Sequence, residues 1–147
     1  MRISESIHIA ASKQKVWDVV MNPHLLHEWV TIHHSLERLS QGPVDTGFSF
    51  DQILAFEGIR FRVHWQLITS EPPNYAVWKG NGQGGAHSQI TYALVEDDSG
   101  STRFDYENEF SVPGGLIGAL VERTLAQTMS EREARKSLAL LKEFLET

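Results

Sequence analysis

Ile3, Ile7 and Ile9 alternate with Ser4, Ser6 and His8 at the start of the chain, and an apolar row with a period of two marks a strand with one buried face. Glu5 stands in that row and is assigned to the rim of the sheet or to solvent. Ser12 then offers an N-cap, its hydroxyl accepting a free backbone N–H of the first turn. Val16, Trp17 and Val20 continue at helical spacing until Asn22-Pro23 interrupts, and a second short helix starts at His24, with Leu25, Leu26 and Trp29 on one side. Beyond Trp29 the period returns to two. A strand is predicted over 31–40, marked by Ile32, Leu36 and Leu39, and ends at the turn Gln41-Gly42-Pro43. Phe48, Phe50 and Leu54 share one parity with Gln52. After the turn at Glu57-Gly58, Ile59, Phe61, Val63, Trp65 and Leu67 alternate with Arg60, Arg62, His64 and Gln66. One-sided burial predicts that these five apolar side chains point at the C-terminal helix while Arg60, Arg62 and Gln66 face solvent.

Further strands are predicted at 75–79, at Ile90, Tyr92 and Leu94, and at Phe104, Tyr106 and Phe110, with Asn108 on the aromatic face of the last. Asn81-Gly82-Gln83-Gly84-Gly85 and Asp97-Asp98-Ser99-Gly100 are the intervening turns. Pro113-Gly114-Gly115 closes the sheet. From there Leu116, Ile117, Leu120, Val121, Leu125, Ala134, Leu138, Leu141 and Leu145 recur with a helical period. About thirty residues of helix span roughly 45 Å, and the charged run Glu131-Arg132-Glu133 predicts a kink or partial packing midway. Short strand-to-strand links favour antiparallel pairing. The pattern therefore predicts an α+β fold: a seven-stranded curved antiparallel sheet, two short helices between strands 1 and 2, and a long C-terminal helix covering the apolar face.

This order, together with particular residues, resembles the helix-grip superfamily, which includes START lipid-transfer domains, birch-pollen-allergen-like proteins and polyketide cyclase/dehydrase-like proteins. The residues that carry the likeness are Ile7-His8-Ile9-Ala10-Ala11-Ser12-Lys13-Gln14-Lys15-Val16-Trp17, then Asn22-Pro23 and Trp29, then Ser88-Gln89-Ile90-Thr91-Tyr92-Ala93-Leu94 leading through an acidic turn to Gly100-Ser101-Thr102-Arg103-Phe104, and the closing Leu141-Lys142-Glu143-Phe144-Leu145-Glu146. The resemblance spans the whole chain as one START-like domain, 1–147. It implies an apolar cavity between sheet and helix that holds a lipid-like, aromatic or polyketide-like molecule. Shared fold does not transfer a reaction.

Composition narrows the partners. The 147 residues fit one domain, and 41% hydrophobic with 22% charged residues is an ordinary globular balance. Thirteen Lys and Arg against nineteen Asp and Glu give a net charge of −6, without a broad electrostatic footprint for nucleic acid or anionic lipid. The absence of cysteine excludes disulfides, thiolate metal sites and a Cys nucleophile. The run Leu116-Ile117-Gly118-Ala119-Leu120-Val121 is far too short for a membrane span, and the N-terminus lacks the apolar run of a secretion signal. The expectations are a cytoplasmic chain, no nucleic-acid partner and no membrane insertion.

The inward aromatic rows read either as an ordinary core or as the walls of a cavity. On the second reading the ligand-binding set is Trp29, Phe48, Phe50, Phe61, Trp65, Tyr92, Tyr106 and Asn108, with Leu116 and Leu120 from the long helix. Asn108 and Gln52 each need a hydrogen-bond partner or a ligand, because an unpaired buried amide costs about 1–3 kcal/mol. His24, His27, Glu28, His33 and His34 cluster in sequence but match no metal-ligand spacing; they are read as solvated, with no metal and no cofactor expected. No Gly-x-Ser-x-Gly turn is present, and the glycines of 80–85 lack the Lys-Ser/Thr of a phosphate loop. His64, Tyr92, Tyr106 and Asn108 have chemistry suited to acid/base work, although His64 falls on the polar face. Three readings follow. The chain binds a small hydrophobic molecule in the cavity, or acts there as a cyclase/dehydrase-type enzyme, or is a protein-interaction module with a filled interior.

Overall fold

The computed structural model describes residues 1–111 and 120–147; within the C-terminal helix, side chains are described at 127 and from 130 onward. The chain forms β1 (Arg2–Ile9), α1 (Lys13–Val20), a 3-10 turn (Pro23–Leu25), α2 (Leu26–Trp29), β2 (His33–Glu37), β3 (Ser49–Phe56), β4 (Ile59–Glu71), β5 (Tyr75–Gly82), a second 3-10 turn (Gln83–Gly85), β6 (His87–Glu96), β7 (Thr102–Ser111) and α3 (Leu120–Glu146). Seven strands make one antiparallel sheet in the order β1-β7-β6-β5-β4-β3-β2. The consecutive strands β1 and β2 thus occupy opposite edges, and α1 and α2 carry the chain between them. Ser12 caps α1, its Oγ accepting from the Lys15 N–H at 3.3 Å. Asn22 caps the turn that follows, its Oδ1 accepting from the His24 N–H at 3.0 Å. No described helix is long and apolar enough to cross a membrane.

Strand β2 is shorter than the 31–40 predicted, running from His33 to Glu37, because Arg38 adopts φ 49° and turns the chain out of the ladder. In β4 the alternation sorts the side chains but does not bury them all. Trp65 and Leu67 are buried, whereas Ile59 is 66% and Phe61 38% exposed. The strand is thirteen residues long, and its first residues project past the layer beneath it. Helix α3 is unbroken through Glu131-Arg132-Glu133. Its charged residues act as lateral ties: Glu133 Oε2 accepts from Thr31 Oγ1 at 2.6 Å, and Arg135 Nη1 lies 3.0 Å from Glu5 Oε1. Glu5, placed at the rim or in solvent by the pattern, is therefore a paired residue. At the end of α3, Lys142 Nζ donates to His8 O at 2.8 Å and Glu146 Oε2 accepts from the Ala10 N–H at 2.8 Å, fixing the helix to β1.

The sheet has two unlike ends. At one, Leu67, Ala76, Leu94, Phe104 and Ile9 pack against Val16, Trp17 and Val20 of α1 and against Leu138 and Leu141 of α3, with all of these side chains buried. Thr102 is wholly buried there and donates its hydroxyl to Ala11 O at 2.8 Å. Toward the other end the layers separate.

Candidate functional site

The inward parity of five neighbouring strands brings Phe50, Gln52 and Leu54 of β3, Val63 and Trp65 of β4, Trp78 and Gly80 of β5, Ile90 and Tyr92 of β6, and Tyr106 and Asn108 of β7 onto one concave wall. Trp29 of α2 and Ala134, Ser137 and Leu138 of α3 face it. The space between is a cavity of about 620 Å³. Ile59 and Phe61 extend its wall to the surface, beside Arg60 and Arg62.

Position 80 shows why the wall is shaped as it is. A Cβ there would stand 2.6 Å from the Trp65 ring and 2.8 Å from Val63 Cγ1, so only glycine lets the indole lie against β5. The indole is then held by polar contacts. Trp65 Nε1–H donates to Gln52 Oε1 at 2.9 Å, and Gln52 Nε2 lies 2.9 Å from His33 Nδ1. Gln52, which the pattern required to find a partner, finds two.

Asn108 also has partners, and they are side chains. Ser88 Oγ donates to its Oδ1 at 2.5 Å, and its Nδ2 donates to Tyr106 Oη at 3.3 Å. With its oxygen accepting from Asn108, the Tyr106 hydroxyl keeps its own proton to donate. Burial pushes the Tyr106 phenol up to about 12, against a smaller opposing effect of the Asn108 bond. Burial, and then the neighbouring Tyr106, push Tyr92 higher still. Both phenols are thus neutral donors at any physiological pH. Tyr92 stands at the boundary with the closed end, its ring 5.2 Å from Phe104, 6.2 Å from Trp29 and 6.2 Å from Tyr106. On the helical side, Thr31 Oγ1 donates to Glu133 Oε2 and accepts from Ser137 Oγ along the cavity. The Trp29 indole N–H has no hydrogen-bond partner among the described residues.

Of the residues singled out from the sequence, Trp29, Phe50, Phe61, Trp65, Tyr92, Tyr106 and Asn108 line this cavity. Phe48 does not. Its ring is buried but packs at 6.4 Å against Phe50, one step along the chain into the closed end, where inward parity means core. Leu116 lies outside the described residues, as does the side chain of Leu120. Trp78, Gly80 and Ser88 are cavity residues that the sequence reading missed. The parity of Trp78 with buried Ala76 was a usable signal, whereas the closeness of Gly80 to Trp65 depends on β4–β5 register and had none.

The histidines near α2 and β2 take separate partners. His27 Nε2 pairs with Glu28 Oε1 at 3.0 Å, His34 Nδ1 lies 3.3 Å from Ser35 Oγ, and His33 turns to Gln52. Among the described residues, no three His, Asp or Glu side chains are grouped to hold a metal ion. The glycine-rich stretch is a hairpin, with Gly84 and Gly85 at positive φ in the turn between β5 and β6. His64 lies on the outer face of the sheet, 52% exposed, its Nδ1 2.7 Å from Asp51 Oδ1 and remote in facing from the cavity.

A family model described as polyketide cyclase / dehydrase and lipid transport matches residues 1–146. The uncharacterized protein Rv1546 of Mycobacterium tuberculosis is 27% identical over 96 residues, which cover 65% of this chain and 67% of that protein. Toxin Rv0910 of the same organism is 22% identical over 131 residues, 88% of this chain and 91% of that one. The crystal structure of TTHA0849 from Thermus thermophilus has the same fold, with a TM-score of 0.77 at 16% identity, over 97% of this chain and 95% of that chain. The seven-stranded sheet gripping a C-terminal helix and the match over residues 1–146 agree: the chain belongs to the polyketide cyclase / dehydrase and lipid transport family.

Proposed function

We propose that the protein binds a small, largely apolar molecule between the concave face of the sheet and α3, without chemistry. The observation that carries this reading is the cavity itself. Its volume of about 620 Å³ falls within the roughly 300–1,000 Å³ of small-molecule sites. Its walls are mainly aromatic and aliphatic, with a few fixed polar groups. Two of those groups are donors: the Tyr92 and Tyr106 hydroxyls, both held neutral, suit a ligand bearing a carbonyl, ether or hydroxyl oxygen on an otherwise apolar, ring-like or lipid-like frame. The family's description, which includes lipid transport, supports the same class of ligand.

A cyclase or dehydrase would need a base or acid beside the donors. Among the described residues, Asn108 is bonded to Ser88 and Tyr106, and the carboxylate and the histidine that line the cavity are engaged elsewhere: Glu133 accepts from Thr31 Oγ1, and His87 Nδ1 lies 3.3 Å from Gly85 O. A cavity of this size also weighs against an interior filled by its own side chains.

The test uses N-phenyl-1-naphthylamine, an uncharged probe that fluoresces in apolar surroundings. It is expected to bind saturably at one site. Ala134→Phe, which projects a ring from α3 into the cavity, is expected to weaken it at least about tenfold while leaving the circular dichroism spectrum unchanged. Absence of saturable binding, or binding indifferent to Ala134→Phe, would overturn the reading.

A further inference from the structure

We propose that His33 is a positioning residue of the cavity: through Gln52 it holds the Trp65 wall in place, and it releases that wall when it takes up a proton. The proposal rests on the ligand-cavity reading above. Its basis is a hydrogen-bond chain whose directions are forced. An indole N–H can only donate, so the 2.9 Å contact with Trp65 sets Gln52 with Oε1 toward the indole and Nε2 toward His33. An amide nitrogen likewise only donates, so His33 Nδ1, at 2.9 Å, must accept. A histidine accepting at Nδ1 is neutral and carries its proton on Nε2.

Protonation breaks this chain with no alternative available to it. Both ring nitrogens of an imidazolium donate, so Gln52 Nε2 and His33 Nδ1 become two donors face to face. Turning the amide over would satisfy His33 but would set Nε2 against the Trp65 N–H, again two donors. No amide orientation serves Trp65 and a protonated His33 together. Gln52 is 5% and Trp65 6% exposed, so water cannot readily replace the lost partner. Trp65 lines the cavity and lies against Gly80, so its loosening reaches a bound molecule directly.

The surroundings hold His33 in its neutral form. Burial, and then the neighbouring His27 and His34, lower its pKa from the ordinary 6.5. The titratable groups facing it among the described residues are His27 on α2 and His34 on β2. Glu28 on α2 is paired with His27. On β3, Asp51 projects to the opposite face of the sheet, bonded to Arg38, Arg62 and His64. No described carboxylate therefore favours the charged form of His33. The sign follows: the wall is ordered at neutral pH and comes loose on acidification below the ordinary histidine range.

The experiment follows the four indole ¹⁵N–¹H resonances from about pH 8 to about pH 5, with Trp65 assigned by Trp65→Phe. N-phenyl-1-naphthylamine, whose arylamine stays uncharged over this range, is titrated alongside. The Trp65 resonance is expected to shift with one midpoint below 6.5, and probe affinity to fall about fivefold with the same midpoint. His33→Asn places an acceptor oxygen near the Nδ1 position and cannot titrate. It is expected to keep the high-pH resonance and affinity throughout, whereas His33→Leu shows the low-pH state at every pH. If His33→Leu fails to fold, His33→Asn carries the decision. A Trp65 resonance indifferent to pH, or a His33→Asn protein that titrates like the parent, overturns the proposal while leaving probe binding intact. Absence of probe binding even at about pH 8 instead overturns the ligand-cavity reading and with it the coupling to a ligand.

Discussion

Asp51 is a carboxylate with no exposed surface on the outer face of an open sheet. Its cover is made of two arginines and a histidine. Arg38 Nε and Nη2 reach Oδ2 at 2.9 and 2.5 Å, Arg62 Nη1 at 3.2 Å, and His64 Nδ1 reaches Oδ1 at 2.7 Å. Burial alone would raise its pKa; the bonds from His64, Arg38 and Arg62 together outweigh burial and hold the carboxyl at about 2. A folded-state value below the ordinary 3.8 means stability that is present above pH 3.8 and lost as pH falls through about 2. Asp51→Asn is therefore expected to lower stability at neutral pH by about 2 kcal/mol, through lost charge-assisted hydrogen bonds. It should also flatten the acid limb: urea midpoints recorded between about pH 5 and about pH 2 should fall less steeply in the variant than in the parent. Parallel acid limbs would show that Asp51 does not carry this dependence.

Within one strand, position along the axis matters as much as parity. Ile59, Phe61, Trp65 and Leu67 share the inward face of β4, yet exposure falls from 66% at Ile59 to 1% at Leu67. The strand passes from an open rim, across the cavity wall, into the closed core. Substituting the same kind of side chain at its two ends should have unequal cost. Leu67→Ala leaves a hole in packed surroundings and is expected to cost about 2–5 kcal/mol. Ile59→Ala removes atoms already in water and should stay within about 0.5 kcal/mol. Chemical denaturation of the two variants measures both; similar losses would mean that the β3–β4 hairpin is covered in solution.

For the protein as a unit, α1 with Leu138 and Leu141 of α3 closes one end of the sheet, and the cavity occupies the other, bounded by Trp29 of α2 and Ala134 of α3. The packed core and the proposed ligand cavity are thus different regions, and under that proposal a molecule in the cavity adds to stability by mass action. With N-phenyl-1-naphthylamine present at a hundred times its dissociation constant, the unfolding free energy is expected to rise by about 2.7 kcal/mol. For a chain of this size that raises the thermal midpoint by several degrees, and Ala134→Phe should remove the increment. A midpoint unmoved by saturating probe would show that the probe does not select the folded state.

Much of this architecture is written locally. Alternation at Ile59–Leu67 and at Phe104–Phe110, the short turns, and the helical spacing of Ala134, Leu138 and Leu141 each depend on neighbours within a few residues, so they specify strands, order and inward faces. They named most of the aromatic wall as well. They could not separate Phe48 from Phe50, because that distinction is where the helical layer leaves the sheet, set by α1, α2 and α3 together. Nor could alternation find Asp51, an outward acid buried by arginines and a histidine from neighbouring segments. The chain from His33 through Gln52 to Trp65 joins three strands across 19 and 13 residues of sequence. Such pairings exist only once strand register is fixed, and register follows from the burial of the whole face.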